Sequence, residues 1–213
     1  MIRILKDSTL DDELRTVAAT KLLGANRPMD RALGMDFLSR NQSSDELPTI
    51  NVLAANSGDV QKGTLVFEQF CSSCHQIGGQ GVAFGPDLSE IGNKVGKEGI
   101  LMSILNPDAG ISFGFEGEVI ETSEGRVFNG YVSNETSDKI ELRLIGGINK
   151  SISKTDIKSR NLSENSLMTP NLHTVMGEDR LTDLVEYLSS LKNYQTKAEN
   201  PFQGQINYER GEP

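Results

Sequence analysis

The chain contains no tryptophan, only two cysteines and only two histidines among its 213 residues. A four-coordinate zinc site would need all four of these side chains, because Cys71, Cys74, His75 and His173 exhaust the supply. There is no excess of positive charge either: 21 Lys and Arg stand against 30 Asp and Glu, for a formal net charge of -9. That balance argues against nucleic acid and against anionic membrane surfaces as partners. No apolar run approaches the ~20 residues that span a bilayer, so membrane insertion is not expected. Met1-Ile2-Arg3-Ile4-Leu5-Lys6 lacks the continuous apolar stretch and small-residue cleavage site of a secretory leader. The hydrophobic fraction of 36% is modest, and a mass of 23.3 kDa allows one or two domains.

What is present is concentrated in one pentapeptide, Cys71-Ser72-Ser73-Cys74-His75. A C-x-x-C-H run is the attachment signature of a c-type haem. At the end of a helix this spacing lets both thiols reach the two vinyl groups of one haem, and places the histidine under the iron as an axial ligand. A covalently held haem would also supply apolar surface that the side chains do not. Three other readings compete. A thioredoxin-like redox dithiol expects a βαβ context, and no strand leads into this segment. A zinc site has only His75 and His173 to complete it. A plain disulfide leaves the adjacent histidine without a role.

Residues 8 to 40 carry helical periodicity. Ser8 or Thr9 could cap a first helix whose face runs through Leu14, Val17, Ala18 and Leu22 to a stop at Gly24. Pro28 opens a second through Ala32, Leu33, Met35, Phe37 and Leu38. The pair reads either as the last unit of an armadillo or HEAT-type repeat or as an ordinary helical extension. Residues 1–45 are therefore expected as a helical extension, 46–57 as a linker, 58–193 as the haem domain and 194–213 as a polar tail. Asp59 is the expected N-cap of the helix that leads into Cys71. Gly78, Gly79, Gly81 and Gly85 form a loop suited to pressing backbone against a flat cofactor. The period then changes from 3.6 to 2. Glu118 to Glu121, Arg126 to Ser133, Lys139 to Ile145 and Asn149 to Lys154 predict a four-stranded meander inserted at about 115–160. Residues 178–192 are predicted as the last helix, with a stripe of Leu181, Leu184, Val185 and Leu188.

A haem iron held by one histidine has a second face to fill. The candidates are Met102, Met168, His173 and Met176. Met102 lies on the apolar side of a short helix, Met176 suits the haem edge, and His173 reads first as a surface histidine. Met168 is favoured, because Ser166-Leu167-Met168-Thr169-Pro170 is a stiffened loop that can bring sulfur to iron without distorting a helix. Between Asp138 and Arg160, bases outnumber acids. The insert is thus expected to be either a basic docking face for an acidic partner or a solvated strand face.

Gly63, Phe67, Cys71-Ser72-Ser73-Cys74-His75, Gly85-Pro86-Asp87-Leu88, the methionine loop and Asp183-Leu184-Val185-Glu186-Tyr187-Leu188 together resemble a class I c-type cytochrome over residues 58–112 and 161–193. The strand insert and the Ser166-Leu167-Met168 loop make the chain similar to a haem-binding domain type of planctomycete and verrucomicrobial secreted proteins. The resemblance implies a mainly α protein: a class I cytochrome c fold with a small inserted antiparallel β-sheet and an N-terminal helical segment. It implies one covalent haem c with His75 and Met168 as axial ligands, and a Pro86 carbonyl accepting from the outer nitrogen of His75. It further implies contact of Gly63 and Phe67 with Tyr187. Domains of this type sit behind helical repeats in large predicted dehydrogenases. A redox partner protein or a parent dehydrogenase domain is therefore expected, in the periplasm or an otherwise exported setting. The missing leader fits a signal already removed or, as the mid-helix start favours, a piece of a longer exported protein. The expected function is one-electron transfer, with no enzyme activity of the chain's own. A gas-binding or sensing haem domain with an open sixth position is the alternative, and a peroxidase-like enzyme a third. Oligomeric state is not indicated.

Overall fold

Residues 1–41 and 47–192 are described in the computed structural model. The N-terminal segment holds a short helix α1 (Ile2–Lys6), then α2 (Asp12–Leu22) and α3 (Pro28–Asn41). Asp12 and Glu13 occupy the first turn of α2, where the helix dipole favours acids, and Pro28 pre-sets the first turn of α3. Within the stretch expected as a linker, α4 (Ile50–Ala55) forms and buries Leu53. The helix α5 (Val60–Phe70) begins where expected: the Asp59 carboxylate accepts the N–H groups of Gln61 and Lys62 at 2.8 and 3.1 Å. A two-residue hairpin, β1 (Gln76–Ile77) and β2 (Gln80–Gly81), follows the cysteine motif, and then come α6 (Ile91–Lys94) and α7 (Lys97–Leu105).

The insert is larger than the periodicity indicates. Its strands are β3 (Glu118–Thr122), β4 (Val127–Glu135), β5 (Lys139–Leu144), β6 (Ile148–Ser153) and β7 (Ile157–Leu162). All pair antiparallel, in the order β6-β5-β4-β3-β7, so the last strand returns to the free edge of the first. Its inner face buries Ile120, Ile140, Leu142 and Ile152, the alternating set that period 2 predicts. β7 was not foreseen because it is an edge strand with little apolar content. Charge fastens it instead. Arg160 bonds both oxygens of Glu118 on β3 and reaches Glu135 at 3.0 Å, and Lys158 meets Glu121 at 2.7 Å. Arg160 and then Lys154 hold the Glu135 carboxyl down to about 2.

The chain closes with α8 (Leu172–Met176) and α9 (Glu178–Ser190). The expected tail at 194–213 lies outside the described residues. Of the described residues 46% are helical and 19% are in strands. The expectation of a mainly α protein is therefore corrected: a five-stranded sheet with its own apolar core stands beside the helices. The underestimate came from counting only strands with an apolar face.

One apolar core joins the N-terminal helices to the rest. Leu5, Leu22, Met35 and Leu38 belong to the same cluster as Val66, Phe67, Phe70, Leu181, Leu184 and Leu188. At its centre α5 lies directly against α9. The Phe67 and Tyr187 rings meet edge to face at 6.0 Å, and Gly63 has no room for a side chain. A Cβ there would penetrate the Asp183 carbonyl oxygen and lie 2.6 Å from the Tyr187 Cβ. Gly63→Ala should therefore push the two helices apart and cost roughly 2 kcal/mol. Denaturant melts would read this as a lower midpoint. An unchanged midpoint would mean that the helices do not meet at this point.

Candidate functional site

α5 delivers the motif by ending on it. The N–H of Cys71 closes onto the Phe67 carbonyl at 2.8 Å, and the N–H groups of Cys74 and His75 both turn back to the Cys71 carbonyl, at 3.0 and 2.9 Å. That tight turn brings Cys71, Cys74 and His75 onto the wall of one cavity. The next loop then clamps the imidazole. The N–H groups of Phe84 and Gly85 donate to the Cys74 carbonyl at 3.0 and 2.6 Å. Gly85 lies flat on the ring: a Cβ there would stand 2.5 Å from the His75 Cε1 and 2.9 Å from Nδ1. The carbonyl of Pro86 lies 2.8 Å from Nδ1. A carbonyl only accepts, so Nδ1 carries the proton and Nε2 keeps its lone pair. Burial pushes the imidazole pKa down, against the Pro86 bond and the nearby Asp87 charge, which favours the neutral ring that a metal requires.

Both thiols are held towards the protonated form. Burial, with Cys74 alongside, pushes the Cys71 thiol up to about 12, and burial also raises Cys74 against a contact from Ser73. Reactive dithiols have depressed values. Cys71 and Cys74 are not joined to each other in this structure. Among the described residues no three His, Cys, Asp or Glu side chains gather as a metal set, and His173 does not line the cavity, so a zinc site lacks ligands.

Of the sequence candidates for the far side, only Met168 lines the cavity. Met102 is 44% exposed and stands outside it, while Met176 is buried in the helical core away from it. The Met168 loop has an anchor that spacing does not reveal. The Asp108 carboxylate accepts the Ser166 N–H at 2.6 Å, and the Ser166 hydroxyl accepts the Met168 N–H at 3.2 Å. No local pattern links positions this far apart. The reading of His173 as a surface residue is corrected: it is buried on α8, and its Nδ1 has no hydrogen-bond partner among the described residues. Met35, on α3, also lines the cavity. It was visible as a core position but not as part of this wall.

The insert supplies another part of the wall. Tyr131, on β4, packs between Phe84 and Phe115 at ring distances of 5.7 and 5.1 Å, and all three line the cavity. Arg143, on β5, ties the sheet to the imidazole loop by donating from Nε and Nη2 to the Ala83 carbonyl at 3.1 and 3.0 Å. The bases of the insert are largely consumed in this way. Lys139 pairs with Glu141, Lys154 with Glu135, Lys158 with Glu121 and Arg160 with Glu118, while Lys150 sits over the Phe128 ring. A free basic face is not what results.

Two thiols three residues apart, an imidazole with a free Nε2, a thioether and a wall of Ile91, Ile100, Ile104 and Leu188 around one cavity fit a flat apolar macrocycle carrying iron. The model of the cytochrome c family matches residues 60–123, from the first residue of α5 to the turn after β3. Over this stretch the chain is similar to class I c-type cytochromes, whose members are in general haem-based electron carriers rather than enzymes. That family binds haem c covalently, and Cys71 and Cys74 stand at the positions of its C-x-x-C-H motif, so the cofactor these residues call for is haem c. Cytochrome c domains are typically exported. The match ends well before Met168. A search of curated proteins returned no match.

His173 carries a pH dependence. Burial lowers its pKa below the ordinary value of about 6.5. The unfolded chain therefore takes up a proton that the folded chain resists, and stability falls as pH drops below about 6.5. Between pH 7.5 and 5.5 the loss in a denaturant melt should be smaller for His173→Gln than for the parent. Equal losses would assign the effect elsewhere.

Proposed function

We propose that the chain is a one-electron carrier in which His75 and Met168 hold a single haem c from its two faces. The observation that supports this reading is their shared cavity: both thiols, the imidazole and the thioether of Met168 line it together. When bound, the haem supplies an iron centre that cycles between ferrous and ferric states. The protein's residues do the rest. Cys71 and Cys74 would hold the macrocycle through thioether bonds, each thiol adding across a vinyl group. Pro86 and Gly85 orient the imidazole and set its tautomer, as a second-layer partner does for a metal-bound histidine. Asp108 and Ser166 hold the methionine loop at the opposite wall. Tyr131, Phe84 and Phe115 exclude water from one side. No acid–base residue is needed for such a step, in keeping with a carrier and not an enzyme.

The strand insert and the Ser166-Leu167-Met168 loop support the finer likeness to secreted planctomycete and verrucomicrobial haem-binding domains. On that reading the chain works in an exported compartment and exchanges electrons with a dehydrogenase domain or a separate redox protein. His75/Met168 ligation has a direct spectral test. The ferric parent should show the far-red sulfur-to-iron band, and Met168→Ala should lose it. Carbon monoxide should bind the reduced variant and not the reduced parent. A band that survives in Met168→Ala and disappears in Met35→Leu would reassign the ligand to Met35. A parent without the band that binds carbon monoxide readily would overturn the reading in favour of gas binding or sensing.

A further inference from the structure

Phe113 is 97% exposed, the most exposed of the chain's large apolar side chains among the described residues. Its position is what matters. Ile111, Ser112 and Phe115, on either side of it, line the haem cavity, so Phe113 projects from the rim of that cavity into solvent. Leu162, 72% exposed at the end of β7, continues the same rim: the next residue, Ser163, donates to the Gly117 carbonyl at 2.7 Å. The Met168 loop completes it through the bond from the Ser166 N–H to Asp108.

Three exposed acids stand at this rim. Asp108, Glu116 and Glu164 are all exposed, and none forms an ion pair among the described residues. Of the bases on the adjoining strands, Arg160 is engaged with Glu118 and Glu135 and Lys158 with Glu121, while Arg143, beside Tyr131, donates to the Ala83 carbonyl and to the Asn149 side chain. An exposed aromatic at the centre and acids without ion-pair partners around it form the two parts of a recognition surface: an apolar contact, and a field that steers the approach.

Resting on the electron-carrier reading, we propose that the loop 110–116 with Leu162, Asp108, Glu116 and Glu164 is the docking surface for a basic redox protein whose own cofactor edge is ringed by lysines. The sign follows from these three acids, which form no ion pair among the described residues, and from the chain's net charge of -9. This is the reverse of a basic insert meeting an acidic partner. Phe113 seats in the partner's apolar contact beside the haem cavity. One electron then passes between the two proteins, one partner losing what the other gains, with no bond made or broken.

The test is stopped-flow electron transfer from the reduced holoprotein to two probes, a lysine-rich mitochondrial cytochrome c and an acidic plastocyanin-type copper protein. The basic probe should react faster, with a rate that falls steeply as salt rises. Phe113→Ser should slow it roughly tenfold while leaving the salt slope in place. Glu164→Lys should flatten the slope, whereas Glu13→Lys, an equal change of charge on α2, should do so far less. Equal effects of Glu164→Lys and Glu13→Lys, no effect of Phe113→Ser, or a faster acidic probe would overturn the docking surface. Hexaammineruthenium separates this from the reading beneath it. Reversible one-electron exchange with that small complex, without the rim effects, removes the docking surface alone. No exchange at all removes both.

Discussion

The contact between α5 and α9 is the constraint on which the rest of the molecule depends. It is set by one missing side chain. Gly63 leaves α5 free to lie on the backbone of α9, and the Phe67–Tyr187 pair fixes how the two faces meet. Because Cys71 is the cap of α5, the place where that helix rests also decides where the thiols and the imidazole emerge. The other helices are arranged about this pair, with α4, α6, α7 and α8 packed against α9 or its neighbours and α1 to α3 sharing the same apolar core. An error of alignment here would be carried directly to the metal-binding end.

The two sides of the cavity are held by different kinds of force. The imidazole side is local and made of main chain. A carbonyl at Pro86, a flat peptide at Gly85 and backbone bonds to Cys74 all come from within a dozen residues, and none depends on which side chain stands at those carbonyls. The methionine side is assembled across distance through side chains, from Asp108 to Ser166 and then to Met168. A backbone clamp is stiff, and at Gly85 it admits no side chain. A carboxylate clamp is specific and more easily changed. The chain has thus put its rigidity where the imidazole must be oriented and its adjustability at the methionine loop.

Much of the site was legible because its chemistry is local. Cys71, Cys74, His75 and the Asp59 cap depend on neighbours a few residues away, and spacing places them; the role of the Pro86 carbonyl came from resemblance. The Phe67–Tyr187 contact was available through resemblance. What sequence could not deliver was set by distant partners. β7 has no apolar alternation because it lies at an edge and is fastened by Arg160 and Lys158 to acids on β3 and β4. Asp108 looks like an ordinary acid after a proline until its bond to Ser166 is seen. The burial of His173 was hidden because a polar residue in a short helix gives no sign of which side it faces. Tyr131 and Met35 read as core residues of other segments, and only tertiary packing makes them walls of the cavity.

The return of β7 beside β3 has a consequence for how such a protein can change. The sheet leaves the helical part at Gly117 and comes back at Ser163, and those two residues are hydrogen-bonded to each other at 2.7 Å. Everything between them is a closed excursion whose length does not alter the gap that the chain must bridge. The stretch from α7 to the methionine loop therefore behaves as a socket. A sheet of another size can be carried there without widening that gap. What such an exchange would replace is Tyr131 and the grip of Arg143, which means the character of one cavity wall. Evolution has in this junction a place to vary the surroundings of the cofactor while leaving its attachment untouched.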